Sequence, residues 1–396
     1  MLAVEDPTDP WEEGLLRSPY DRYARLRDAG PVVKNTKYGF WSMYRHEDVA
    51  AAMSDWETYC SSRGVGITDT AKEQAWRKPS LLLNADPPQH TEMRKIVNGI
   101  FSPRAIRNLR AQFEATAEEH VAALGDRSEI DGATEIAEAF PIAVFPDSVG
   151  VRPDGRDNLL LYGLMAFNSE GPKNEIYHDA FRHADTVHAW IEEACKRENL
   201  ADTGFGADIW AAHDQGLITA EQAALLVRSV LTAGLDTTIA LIGNTLLALA
   251  RNPRYWRDLK EDPALVKGAI EETMRHDAPV QLFFRTTTQA VEVHGVEIPA
   301  DAKVLLSLAS ANRDPRRWGE DADTFDPHRN TAGHMGFGVG IHRCLGQMIA
   351  RLEAEVILTR LVREYESIEL AGEPELRLNN VVRSRKKIPL KLHKSK

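Results

Sequence analysis

The stretch from Thr219 to Arg251 constrains this chain more than any other segment. Thr219 offers an N-cap, Gln222 completes a capping box three residues later, and Pro253 stands just past the end. At ~1.5 Å per residue such a helix runs roughly 48 Å, enough to cross a whole domain. Its second half, Ile239–Ala250, is apolar on nearly every face, which predicts burial inside a large fold. Its middle reads Ala233-Gly234-Leu235-Asp236-Thr237-Thr238. A glycine, an acid and two β-branched alcohols suit a buried helix centre poorly. Local inconsistency of that kind is where a functional site is expected.

Helical patterning dominates elsewhere too. Pro19–Gly30 reads as a helix, followed by a strand pair, Pro31–Thr36 and Gly39–Tyr44. Asp86-Pro87-Pro88, Ser102-Pro103 and Pro153-Asp154 each read as a helix start. Short strands are expected at Thr286–Val293, Val296–Pro299 and Lys303–Leu308, with a turn at His294-Gly295, and one more at Ile388–Leu392. No repeat and no Pro/Gly/Ser linker divides the chain. The expectation is one domain over residues 1–396, mostly α with a minor β region.

The net charge of −11 argues against nucleic acid as a partner and against a basic membrane-surface protein. No run approaches the ~18 consecutive apolar residues of a transmembrane helix. Met1–Gly14 carries five acids where a secretory signal would carry a basic start, so a cytoplasmic protein is expected. Three cysteines, Cys60, Cys195 and Cys344, do not make a disulfide framework.

One cysteine has a setting of its own: Phe337-Gly338-Val339-Gly340-Ile341-His342-Arg343-Cys344-Leu345-Gly346. The glycines let the backbone approach something large and flat. A helical pattern, Gln347–Arg363, follows at once, so Cys344 sits near a helix N-terminus, where free N–H groups favour a thiolate. A thiolate is the form of cysteine that binds metal. The segment resembles the haem-binding signature of cytochromes P-450, Phe-x-x-Gly-x-His/Arg-x-Cys-x-Gly, matching at Phe337, Gly340, His342, Cys344 and Gly346. The resemblance implies the P-450 fold, a long central helix over haem b, and Cys344 as the iron ligand.

Three more constellations join it. Glu272 and Arg275, three apart, share a helix face and resemble the family's Glu-x-x-Arg pair, with Arg329 matching the residue that completes its ionic cluster. His90 and Arg94, four apart, can point at one anion, and Arg285 is a further candidate. The resemblance makes these three, with His342, the holders of the haem propionates. The helix centre resembles the oxygen-activation motif, in which a hydroxyl and a carboxylate deliver protons to a buried apolar pocket. Thr237 and Asp236 fit those roles. The bland alternative is that the threonines only kink the helix by bonding its own backbone.

Closer segments resemble the P-450s that oxidise para-substituted benzoates: Ser61-Ser62-Arg63-Gly64-Val65-Gly66, Trp76-Arg77-Lys78-Pro79-Ser80, Leu225-Leu226-Val227-Arg228-Ser229 and Phe283-Phe284-Arg285-Thr286-Thr287-Thr288. That likeness implies a substrate carboxylate held by Arg77, Ser80, Arg228 and Ser229, with Thr232 in place of a serine, and pocket walls at Leu83, Phe167 and Phe283. Arg228 precedes Asp236 by eight residues, roughly 12 Å along a helix axis. A benzoate tied there is a rod of suitable length to present its para substituent to the oxidant. Glu170 departs from the pattern, because those relatives carry a phenylalanine at its position. It could turn to solvent, be protonated, or hydrogen-bond a polar group on the substrate or an ordered water.

The resemblance implies a monooxygenase that takes electrons from an iron–sulfur ferredoxin with an NAD(P)H-dependent reductase. It would insert one atom of O2 into a small aromatic carboxylate by O-demethylation or hydroxylation. A peroxide-driven peroxygenase and a non-catalytic haem sensor or carrier are the alternatives. The Asp236–Thr237 pair disfavours both.

Overall fold

The structure is a computed structural model describing residues 2–395. Helices predominate, and four of them position the site: Asp157–Asn168, Ala220–Gly234, Asp236–Arg251 and Gln347–Glu364. The helix expected over Pro19–Gly30 occupies Tyr20–Ala29. Ser102 caps Pro103–Ala123, its hydroxyl accepting the Ala105 amide.

The one long helix expected over Thr219–Arg251 is two. The Thr219–Gln222 capping box starts Ala220–Gly234, Leu235 interrupts, and Asp236–Arg251 resumes. The cause is local. Thr237 Oγ1 donates to Ala233 O at 2.8 Å and Thr238 Oγ1 to Gly234 O at 2.9 Å. Side-chain hydroxyls bonded to carbonyls four residues back bend a helix. The ring of Phe145 presses on the break, and a Cβ on Gly234 would lie 2.0 Å from it. In its most apolar 18-residue window the stretch has a mean hydropathy of 1.6, enough for a membrane span, yet 61% of that window is buried within the fold. Its second half is walled by Ala133–Glu138, Leu265–His276 and Gln347–Glu364.

A six-stranded sheet runs Val4–Asp6, Val33–Asn35, Trp41–Met43, Lys303–Ser307, Leu282–Thr287, Tyr59–Cys60. Leu282–Thr287 and Lys303–Ser307 are antiparallel, with Phe283 opposite Leu306 and Arg285 opposite Val304. Alternation along the strand sends Phe284 into the core, while Phe283 and Arg285 line the cavity described below. The strand expected over Thr286–Val293 is divided. Leu282–Thr287 belongs to the large sheet, and Val291–Val293 pairs with Val296–Ile298 in a hairpin turned at His294 and Gly295, both at positive φ. The helix expected from Pro153-Asp154 begins at Asp157.

The side chains of Glu272 and Arg275 are fully buried and joined by two 2.7 Å hydrogen bonds. Arg275 also donates to the carbonyls of Asn312, Ala322 and Thr324. Arg329 Nε lies 3.4 Å from Glu272, and its other nitrogens hold Asp321. The cluster ties Leu265–His276 to the coil that leads into the Cys344 loop.

Candidate active site

A cavity of about 250 Å³ lies between the broken helix pair, the end of Asp157–Asn168, the strand carrying Phe283, and the Cys344 loop. Every residue assigned to substrate on sequence grounds lines it: Arg77, Ser80, Leu83, Phe167, Glu170, Arg228, Ser229, Thr232 and Phe283. Thr237, Arg94, Arg285, His342 and Cys344 line it too. His90 and Asp236 do not. His90 stands behind His342, ring centroids 4.5 Å apart. Cys60 and Cys195 are buried elsewhere.

The Cys344 loop is held by its own backbone. Gly338 and Gly340 have φ of 69° and 70°, a region that costs other residues strain. The Cys344 amide donates to Phe337 O at 2.8 Å. Burial pushes the thiol up, while the amides of Gly346 and Gln347 and the charges of Arg94 and Arg351 pull it down. The sulfur thus faces an apolar space with donors behind it that stabilise the thiolate once a metal pairs with it.

Around this end of the cavity, cationic and imidazole groups outnumber the acids: Asp86 is the carboxylate near them, 3.9 Å from His342 Nε2 and bonded to the amides of Ser61 and Ser62. Arg285 is 1% exposed, bonds only Phe284 O, and burial lowers its pKa to about 10. His342 Nε2 and both nitrogens of His90 have no hydrogen-bond partner among the described residues. Burial lowers His90 to about 4. Arg94 bonds Arg343 O and Asn98 Oδ1 but no acid among the described residues. Buried donors without acceptors call for an anion. Together with the apolar space above Cys344, they fit the propionates and macrocycle of haem b.

At the other end lies a second set. Arg228, 7% exposed, donates to Lys78 O at 2.5 Å and has no acid within ion-pair reach among the described residues. Burial first, then Arg77 among its neighbours, lowers its pKa. Arg77 donates to the Tyr162 hydroxyl at 3.2 Å and lies over the rings of Trp76 and Tyr162. The hydroxyls of Ser80 and Ser229 are 3.0 Å apart. Ser80 Oγ also accepts the amides of Leu82 and Leu83, which sets the loop. Thr232 Oγ1 donates to Arg228 O, one turn back.

Asp236 lies behind the wall, under Gly163 of Asp157–Asn168. Burial raises its carboxyl to about 7, with Arg377 opposing and Glu138 adding to the shift. Arg377 and Glu138 are themselves paired at 3.1 Å. Sequence reasoning missed Tyr162, Gly163 and this ion pair. None carries a motif, and each matters only through a partner distant in the chain.

The sequence profile of the family described as Cytochrome P450 matches residues 189–392. A protein of Rhodopseudomonas palustris, Cytochrome p450 CYP199A2, is 46% identical over 385 residues, spanning 97% of this chain and 93% of the relative. The erythromycin C-12 hydroxylase of Saccharopolyspora erythraea is 30% identical over 384 residues, spanning 95% and 93%. Among solved structures, cytochrome P450 CREJ in complex with (4-ethylphenyl) dihydrogen phosphate superposes with a TM-score of 0.88 at 27% identity, covering 98% of this chain and 99% of that one.

Proposed function

The chain belongs to the cytochrome P450 family, and on that premise we propose that it oxidises a small aromatic carboxylic acid held by Arg77 and Arg228. As a member it is a monooxygenase with haem b as cofactor. Bacterial P450s of this type use O2 and draw electrons from ferredoxin and reductase partners. Cys344 would bind the iron, and Arg94, Arg285 and His342 the propionates, with His90 behind His342. Once bound, the haem supplies the activation of O2.

One observation carries the substrate class. Two guanidinium groups and the hydroxyls of Ser80, Ser229 and Thr232 line one end of the cavity, with no acid of the chain paired to either arginine among the described residues. A planar guanidinium matches a carboxylate with two parallel bonds. Leu83, Phe167 and Phe283 suit an aromatic ring between that anchor and the Cys344 end. The solved relative that holds a para-ethylphenyl phosphate binds an anionic aryl ligand of similar shape.

The chain's residues then orient and protect. The anchor holds the carboxylate, the apolar walls exclude water, and the para substituent points toward Thr237. The Thr237 hydroxyl donates to Ala233 O and turns its lone pairs to the cavity, so it would accept a proton there and pass its own on, with Asp236 as the acid that supplies protons from behind the wall. Oxygen insertion into a para-methoxy group gives a hemiacetal. It collapses to a phenol and formaldehyde, and the second oxygen atom leaves as water. The experiment is a comparison of 4-methoxybenzoate with its methyl ester by calorimetry on the haem-loaded protein. Loss of a charge-assisted contact is expected to weaken binding by roughly 10- to 150-fold. Equal affinities would defeat the reading.

A further inference from the structure

Glu170 is an anomaly on the cavity wall. It follows the Asp157–Asn168 helix, its amide donating to Phe167 O at 3.2 Å and its carbonyl accepting the Ile67 amide at 2.8 Å. Its side chain folds against Gly66, where a Cβ would lie 2.5 Å from Oε2. Glu170 lines the cavity, half-buried, with its carboxyl packed against Gly66 rather than extended into solvent. Its carboxyl has neither a hydrogen bond nor an ion pair among the described residues. Arg77 and Lys303 are the cations whose charge reaches it. Lys303 is otherwise engaged, its Nζ donating to Gly64 O at 2.9 Å. Burial pushes the Glu170 carboxyl up against the pull of both.

We propose that Glu170 is a second polar subsite that binds a hydroxyl on the ring of the aromatic acid, so that ring-hydroxylated acids are preferred. This rests on the carboxylate anchor at Arg77 and Arg228. The neighbouring walls, Ala166 and Phe167, are apolar, so an occupant that covers Glu170 without bonding it strips its water and leaves it unsatisfied. A hydroxyl answers both forms of the carboxyl, donating to the ionised one and accepting from the neutral one. An ammonium would meet the opposing field of Arg77, Arg228 and Lys303.

The test is calorimetric binding of 4-methoxybenzoate and 3-hydroxy-4-methoxybenzoate to the haem-loaded protein and to Glu170→Leu and Glu170→Gln. The wild type is expected to prefer the hydroxylated acid by about five- to tenfold, the worth of one hydrogen bond. Glu170→Leu removes the preference and tightens the plain acid. Glu170→Gln keeps it, which also covers a misfolded leucine variant. An unchanged preference in Glu170→Leu, or none in the wild type, overturns the proposal. The methyl ester of each acid separates the two readings: equal binding of acid and ester breaks the anchor, whatever Glu170 does.

Discussion

The carboxylate of Asp236 rests on the bare Cα of Gly163, so close that a Cβ there would stand 1.7 Å from Oδ2. The two come from different helices, and the absence of a side chain at Gly163 lets the acid sit behind Thr237. Gly163→Ala must push the carboxylate away. It is expected to slow product formation as Asp236→Asn does, with substrate affinity changed less than about twofold, because neither residue lines the cavity. A full-rate Gly163→Ala enzyme would show that the position of Asp236 does not matter.

The same acid makes stability depend on pH. Its folded carboxyl is raised from 3.8 to about 7 by burial. The unfolded chain therefore gives up this proton first, and the fold loses stability as pH climbs from about 4 through about 7. Asp236→Asn removes that loss. Its melting temperature should exceed the wild type's at about pH 8, and the gap should shrink toward about pH 4. Thermal unfolding at the two pH values checks the sign.

Glu272 and Arg275 offer a contrasting case, a buried pair with every donor engaged. Arg275→Leu leaves the buried Glu272 carboxylate with only Arg329 and the Asp326 amide and should cost about 3 kcal/mol. Glu272→Leu strands the guanidinium and should cost a comparable amount. The double substitution should cost less than the sum of the two. Denaturant unfolding of the three variants reads this directly.

How much of this was legible beforehand follows from where each signal lives. The Cys344 loop was legible because its glycines and cysteine are consecutive, and the positive φ of Gly338 and Gly340 is what that spacing required. The poor helix formers at 234–238 marked the helix centre as special, and a kink by the threonines was one reading of them, but not a division into two helices at Leu235. The hydroxyls of Thr237 and Thr238 bend the helix locally, and the packing of Phe145 against Gly234 comes from another helix and leaves no periodic trace. Arg77, Ser80 and Phe283 came by likeness to relatives, and no spacing would have joined them to Arg228. Glu170 was legible only as a departure, and its inward turn is decided by the loop at Gly66. Tyr162, under Arg77, is a helix tyrosine like any other until the fold brings that loop across it.

Cys344 is the cysteine whose loss should change the spectrum. Cys344→His should abolish the red-shifted ferrous-CO band of thiolate ligation. Cys60→Ser and Cys195→Ser should keep it, since both are buried away from the cavity, and burial holds the Cys195 thiol at about 12. An intact band in Cys344→His would remove the basis for the ligand assignment.

Thr237 decides between a structural and a chemical reading of the helix centre. Both threonines donate to carbonyls four residues back, as a helix-bending role demands. Only Thr238 is deeply buried, 2% exposed, while Thr237 opens onto the cavity. A hydroxyl that donates backward keeps its lone pairs free toward the cavity, and a proton passed through it can reach the reacting oxygen. Thr237→Ala should leave substrate affinity and NADH consumption nearly intact. Product per NADH should fall by at least about tenfold, and hydrogen peroxide should account for the difference. Thr237→Ser keeps the hydroxyl and should stay coupled. If the alanine variant remains coupled but melts at a lower temperature, Thr237 braces the bend and handles no proton.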